Sequence, residues 1–313
     1  MPYDVICLRP EADFQRIGAT APNTYKVTYR APDDPQLPAL MKEARALLIP
    51  AVGPKLPPSL FEGSTIKLVQ VTGAGVDRLD EAALRRLGIA VANVPGGSNS
   101  AVAEYAVTNA TLLLRRFAWS DREIGVGHYD AFRKRMLADN LGGLEGALVG
   151  IVGLGVIGLA VARAFHAAGC RIAYFDPAPR DAKAAQALEA QPMPLDELLS
   201  KADVVTLHVP LIAPTKGMIG ACELALMKPG AVLVNAARGG IVDEAALAAR
   251  LETGQLGGAA VDVYSVEPPT ANNPLLQLQG EARQRLILTP HIAGVTRQSF
   301  AHLFREAWSN VGR

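Results

Sequence analysis

Residues Gly146 to Ala162 constrain this chain more than any other stretch. Leu148 to Val152 is a short apolar run, and Gly153, Gly155 and Gly158 follow it in G-x-G-x-x-G spacing. A second run, Arg171 to Phe175, ends at Asp176. The pattern reads as strand, glycine turn, helix, strand. The first glycine permits the tight turn, the second lets backbone approach a pyrophosphate, and the third lets the helix sit close to the sheet. The helix start offers unpaired N–H groups and partial positive charge to phosphate. A carboxylate at the end of the next strand suits ribose hydroxyls. A lone glycine pattern is weak evidence; in this setting it points to a dinucleotide site, with Gly153, Gly155, Val156, Ile157, Gly158 and Asp176 as candidates. The uncharged run is at the short edge of the membrane-spanning range. Its glycines at turn spacing and the charged helix that follows argue against a span.

The chain has 313 residues, enough for two domains, and half of them are hydrophobic, so a full core is available. The 31 basic and 30 acidic residues nearly cancel, and no basic block marks a nucleic acid or membrane partner. Met1-Pro2-Tyr3-Asp4 lacks the basic region of a secretory signal. Cys7, Cys170 and Cys222 are few, scattered and odd in number. They read as reduced residues of a cytoplasmic protein, with neither a disulfide framework nor a metal site.

Four strands are expected early: Asp4 to Leu8, Arg45 to Ile49, Ile66 to Val71 and Ile89 to Val94. Pro32 to Pro38 and Pro50 to Pro58 read as loops, and Asp80 to Leu87 as a helix stopped by Gly88. Ser100 is placed at the cap of a crossover helix running to about Arg116. Phe117 to Asn140, aromatic and charged, has no clear place in either sheet and suits an arm packed on a second subunit, giving a homodimer. Six further strands are expected at 148–152, 171–175, 203–208, 231–236, 258–263 and 286–289. Phe300, Leu303, Phe304, Ala307 and Trp308 mark one apolar face of a final helix, which has no strand left to serve and so returns to the first domain. The expectation is an α/β protein with two parallel-sheet domains. Residues 1–98 plus 291–313 form a smaller, flavodoxin-like substrate domain, and 99–290 a doubly wound Rossmann cofactor domain.

Ligands of open α/β sheets bind outside the carboxyl ends of the strands. The late strands run into Asn235-Ala-Ala-Arg-Gly-Gly240, Asp262-Val-Tyr-Ser-Val-Glu-Pro-Pro269 and Thr289-Pro-His-Ile-Ala-Gly294. Arg238, Glu267 and His291 thus reach one rim. Those types suit hydride transfer to a 2-oxo acid. Arg238 can hold a carboxylate with a fixed fork of donors. His291 can give a proton to the oxygen as it becomes an alkoxide. A neighbouring Glu267 would orient the ring and favour its charged form. Asp262 can accept from the nicotinamide carboxamide. His208, Pro210 and Ala236, also at strand ends, complete the candidate cofactor lining with Arg238, Asp262 and His291. Each alone has a bland reading, as a turn arginine, a solvated loop acid or a satisfied loop histidine; together at consecutive strand ends they read as a site. His166 reads as packing or surface, and His128 and His302 have no evident partner.

The chain resembles the D-isomer-specific 2-hydroxyacid dehydrogenase family over nearly its whole length. The matching pieces, in order, are Gly-Ala-Gly-Val-Asp at 73–77, Val-Ala-Glu at 102–104 and Gly-Leu-Gly-Val-Ile-Gly at 153–158, then His-Val-Pro-Leu at 208–211 and Met-Lys-Pro-Gly at 227–230. Asn-Ala-Ala-Arg-Gly-Gly at 235–240, Ala-Val-Asp-Val-Tyr at 260–264, Glu-Pro at 267–268 and Thr-Pro-His-Ile-Ala-Gly at 289–294 complete them. The resemblance implies Arg238, Glu267 and His291 as the catalytic trio, backbone donors of Gly73, Ala74 and Gly75 for the substrate carboxylate, and pairing of subunits through their cofactor domains. Phosphoglycerate-type members carry basic residues near the 50s turn and before the Gly-Ala-Gly loop. Here those stretches read Pro50-Ala-Val-Gly-Pro54 and Val69-Gln-Val-Thr72, with Lys55 nearby. Ala74 offers no lysine of the phosphite-oxidising kind, and Glu267 stands where formate-oxidising relatives have Gln. A small 2-oxo acid with an uncharged tail, such as glyoxylate or hydroxypyruvate, is expected. NAD is expected over NADP because Asp176 would repel a 2′-phosphate, with Arg180 as the residue that could accept one. The alternatives are a phosphoglycerate-type dehydrogenase or a dinucleotide-sensing, corepressor-like binding module of the same fold.

Overall fold

The computed structural model describes residues 4–178 and 182–313. The chain divides into two compact units, residues 1–98 with 295–313 and residues 99–294, so His291 belongs with the second unit.

Among the described residues, unit 1 holds five strands: β1 (Val5–Cys7), β2 (Val27–Tyr29), β3 (Ala46–Ile49), β4 (Leu68–Val71) and β5 (Ala90–Ala92). All pair in parallel in the order β2-β1-β3-β4-β5, the flavodoxin-like arrangement. β3 is buried along its whole length, as a parallel strand covered on both faces must be. The helix Arg297–Val311 belongs to this unit. Its apolar face buries Leu303, Phe304, Ala307 and Trp308, and the Phe304 ring lies 4.4 Å from that of Phe14. Thr296 and Ser299 cap its start reciprocally.

Unit 2 holds β6 (Leu148–Val152), β7 (Arg171–Phe175), β8 (Gln191–Pro192), β9 (Val204–Leu207), β10 (Val232–Asn235), β11 (Gly258–Val261) and β12 (Leu286–Leu288). Their order is β12-β11-β10-β9-β6-β7-β8, all parallel. That is the Rossmann order with one added edge strand, and the chain reverses direction across the sheet between β6 and β9. Gly150 keeps β6 free of a side chain where the helix Leu195–Lys201 crosses it; a Cβ there would stand 2.4 Å from Leu198.

Several expectations shift. The crossover helix begins at Asn99 and ends at Leu114. β2 and β8 were not foreseen, and part of the Pro32–Pro38 loop enters a short helix, Leu37–Leu40. Phe117–Gly125 and Tyr129–Ala138 are two helices, joined through Trp119 and Phe132 with ring centroids 5.4 Å apart. No helix among the described residues is long and apolar enough to cross a membrane.

Candidate active site

The glycine turn sits at the carboxyl end of β6, beside the reversal in strand order. Gly153 has φ of 95°, and a Cβ there would meet the His208 carbonyl oxygen at 2.8 Å. A Cβ on Gly158 would come within 1.9 Å of the Gly153 carbonyl oxygen, so only glycine lets the helix Val156–Ala167 start this close to the turn. Gly155 differs: a Cβ there would meet nothing within 4 Å. It is the N-cap of that helix and supplies no side-chain cap, so the first N–H groups are left for a ligand. Val156 is exposed at the first helical position, while Ile157 packs inward. Asp176 accepts from the Leu154 N–H at 2.8 Å and the Ala178 N–H at 3.0 Å, which ties the end of β7 to the turn. Arg180 lies outside the described residues.

His208, at the end of β9, is bonded through Nε2 to the Thr206 hydroxyl at 2.8 Å. Burial pushes its pKa down to about 3, so the ring is neutral, and its Nδ1 has no protein partner among the described residues. Pro210 beyond it is exposed, and Ala236 after β10 is half-buried.

Arg238 lies three residues past β10. Its Nη1 donates to the Ala237 carbonyl at 2.7 Å. The neighbouring Gly239 explains where this turn sits: a Cβ there would overlap the Tyr264 carbonyl oxygen at 1.7 Å. The Arg238 turn therefore lies directly on the loop that carries Glu267. Glu244 holds that loop, accepting from Ser265 N–H at 2.6 Å and from Asn273 Nδ2 at 2.6 Å.

His291 and Glu267 meet. Nδ1 of His291 is 2.8 Å from Oε2 of Glu267, with the side chains 27% and 26% exposed. Oε1 of Glu267 accepts from the Tyr264 N–H at 3.0 Å. Burial would raise the Glu267 pKa. The bonds from His291 and Tyr264, with the charges of His291 and Arg238, outweigh it and hold the carboxyl below its ordinary value. His291 itself has φ of 56°, a left-handed conformation, and its N–H donates to the Asp262 carbonyl at 2.8 Å.

Asp262 explains that conformation. Its Oδ1 accepts from the Thr289 hydroxyl at 2.6 Å and the Ile292 N–H at 2.8 Å, and its Oδ2 from the Ala293 N–H at 2.8 Å. The side chain is a bracket around His291, held by three bonds from its own loop. Burial raises its pKa against these three bonds and the charge of His291. Tyr105 extends the network to the crossover helix through the Thr289 hydroxyl at 2.7 Å. Gly239, Glu244 and Tyr105 were missed from sequence. A glycine doublet after Arg238 was the one available signal.

In unit 1, Gly73, Ala74 and Gly75 follow β4. Asn93 Nδ2 takes the Ala74 carbonyl at 2.7 Å, and the N–H groups of all three loop residues lack protein partners among the described residues.

The family described as D-isomer specific 2-hydroxyacid dehydrogenase, NAD binding domain, matches residues 107–293. The chain belongs to that family. The enzyme is similar to a (S)-sulfolactate dehydrogenase of Chromohalobacter salexigens, 41% identical over 79% of this chain and 77% of that one. It is also similar to a D-3-phosphoglycerate dehydrogenase of Archaeoglobus fulgidus, 38% identical over 75% of this chain but only 42% of that relative's length. The holo D-mandelate dehydrogenase structure of Rhodotorula graminis covers the whole chain at TM-score 0.84 and 27% identity, matching 94% of that chain. The dehydrogenase is an NAD-dependent oxidoreductase, and its glycine turn fits the cofactor: open space at Gly155, free helix-start N–H groups and the Asp176 carboxylate. No cluster of metal-ligating side chains occurs among the described residues.

Proposed function

We propose that the enzyme interconverts a small 2-oxo acid and its D-2-hydroxy acid, with His291 as proton donor and acceptor, Glu267 as the group that holds and charges it, and Arg238 on the substrate carboxylate. The observation that carries this reading is the 2.8 Å pair between His291 Nδ1 and Glu267 Oε2 beside the Arg238 turn. Bound NAD supplies the ring that gives or takes the hydride. Gly153, Gly155, Val156, Ile157, Gly158, Asp176, His208, Pro210, Ala236, Arg238, Asp262 and His291 are its proposed lining. Glu267 fixes Nδ1, which leaves Nε2 of His291 to face the substrate oxygen. In reduction that nitrogen gives its proton to the forming alkoxide; in oxidation the neutral ring takes it back. Arg238 orients the acid by its fork of donors.

Unit 1 is then the substrate domain and unit 2 the cofactor domain. Glyoxylate and hydroxypyruvate are the favoured substrates, because the 50–54 and 69–72 stretches carry no arginine for a phosphate. Phe117, Ile124, Tyr129 and Leu137 are exposed on the two helices 117–125 and 129–138, and Val126 between them, which supports a homodimer joined there. Three free cysteines suit the reducing cytoplasm. Assay with NADH against a panel of 2-oxo acids tests the reading: turnover of small members supports it, and a protein that binds NADH but reduces none of them defeats it.

A further inference from the structure

A histidine with φ of 56°, as at His291, lies where residues with a Cβ rarely sit, and such a conformation persists only when its surroundings hold it. Asp262 binds the residues that follow His291. Thr289 lies just before it, and two tyrosines of the same unit close on Thr289. Tyr105, on the helix Asn99–Leu114, meets its hydroxyl at 2.7 Å. Tyr264, in the loop that carries Glu267, donates to its carbonyl at 2.9 Å. Burial raises the pKa of both phenols, so both keep their protons as donors at neutral pH.

The proton count fixes the direction of these bonds. Thr289 has one hydroxyl proton and gives it to Asp262 Oδ1 at 2.6 Å. Tyr105 must therefore donate to Thr289, so the bonds run from Tyr105 through Thr289 to the Asp262 carboxylate. Each donation strengthens the next where the local dielectric is low. Tyr264 reaches further. It is 7% exposed, and its N–H donates to Glu267 Oε1 at 3.0 Å. Its carbonyl lies against Gly239, where a Cβ would stand 1.7 Å away. Tyr264 thus ties together the turns that carry Arg238, Glu267 and His291.

We propose that Tyr105 and Tyr264 clamp Thr289 from two sides and so set His291 against Glu267, which makes both tyrosines positioning residues for proton transfer. The proposal rests on His291 as the proton donor and deepens that reading. The two hydroxyls are spent on Thr289, so they act through His291 and not on the acid, which Arg238 holds. Their loss is therefore felt in the transition state and not in substrate binding.

The test is kcat and KM with NADH and the fastest-reduced acid among glyoxylate, pyruvate and hydroxypyruvate. Tyr105→Phe and Tyr264→Phe should each lower kcat about three- to tenfold, the scale of one neutral hydrogen bond. KM and NADH affinity should change by no more than about twofold. In Thr289→Val, which lacks the hydroxyl, adding Tyr105→Phe should cost nothing further, and in His291→Ala neither phenylalanine should lower the residual kcat. A merely structural role would show the same loss in every background. If Tyr264→Phe does not fold, the half-buried Tyr105 carries the test alone. Wild-type kcat in a folded Tyr105→Phe protein overturns the proposal. So does a loss carried by KM, or an equal loss in the Thr289→Val or His291→Ala background. Wild-type turnover in His291→Ala, or a wild type that binds NADH and reduces none of the acids, defeats the reading beneath it, and the clamp with it.

Discussion

The two glycines at the start of the cofactor helix are expected to fail in different ways when replaced by alanine. At Gly158 the new methyl would lie 1.9 Å from the Gly153 carbonyl oxygen, so backbone must move. Overpacking of that kind costs about 1–3 kcal/mol, more than the roughly 1 kcal/mol that alanine gains in a helix. The melting temperature should fall by about 2–4 °C per kcal/mol of net loss. At Gly155 the methyl meets nothing within 4 Å, and φ of −72° suits any residue. Stability should therefore hold to within about 1 kcal/mol, the usual scale of an N-cap change. On the proposed reading the methyl occupies the face that the pyrophosphate approaches. NADH affinity, read by fluorescence titration, should drop at least about tenfold, or about 1.4 kcal/mol. Wild-type NADH affinity in a stable Gly155→Ala protein would refute the assignment of that open face to the cofactor. Wild-type stability in Gly158→Ala would refute the packing argument.

Arg238→Lys keeps the charge but loses the fork, so kcat/KM should fall about ten- to a hundredfold, the 1.5–3 kcal/mol of a bond to a charged group, while NADH titration changes little. Turnover like the wild type's would remove Arg238 from the substrate. His208, neutral in the folded protein down to about pH 3, titrates near 6.5 when unfolded. The unfolded chain thus binds the extra proton between those values, and stability should fall as pH drops through that window, by up to about 1.4 kcal/mol per pH unit from this group. Urea midpoints from pH 4 to 7 should show that slope reduced in His208→Gln; an unchanged slope contradicts the buried neutral ring. A monomer by light scattering at micromolar concentration would exclude the dimer built on the 117–138 helices.

The parts legible in the sequence were those where one physical demand dominates. Buried parallel strands read as apolar runs, as at Leu148–Val152 and Val232–Asn235. The glycine turn was legible because its spacing answers to contacts with Gly153 and His208. β2 and β8 were not, being a three-residue edge strand and an exposed two-residue strand with little apolar signal. Asp262 reads from the sequence as a strand-end carboxylate; its bonds to Thr289, Ile292 and Ala293 are set by the fold and carry no motif.

The Glu267–His291 pair is the centre of this account, and the pH dependence of kcat/KM in both directions tests it most directly. Glu267 titrates below the ordinary carboxylate range, so it remains charged across the pH window of the assay and holds His291 Nδ1. Reduction needs a proton on the ring and oxidation needs the neutral ring, so kcat/KM should change with pH in opposite senses in the two directions. Glu267→Gln keeps an acceptor but removes the charge, so kcat/KM should fall in both directions by about tenfold or more, the scale of a lost bond to a charged group. His291→Ala should abolish the pH dependence along with most of the turnover. Wild-type kcat/KM in Glu267→Gln, or near-normal turnover with the same profile in His291→Ala, would contradict the account.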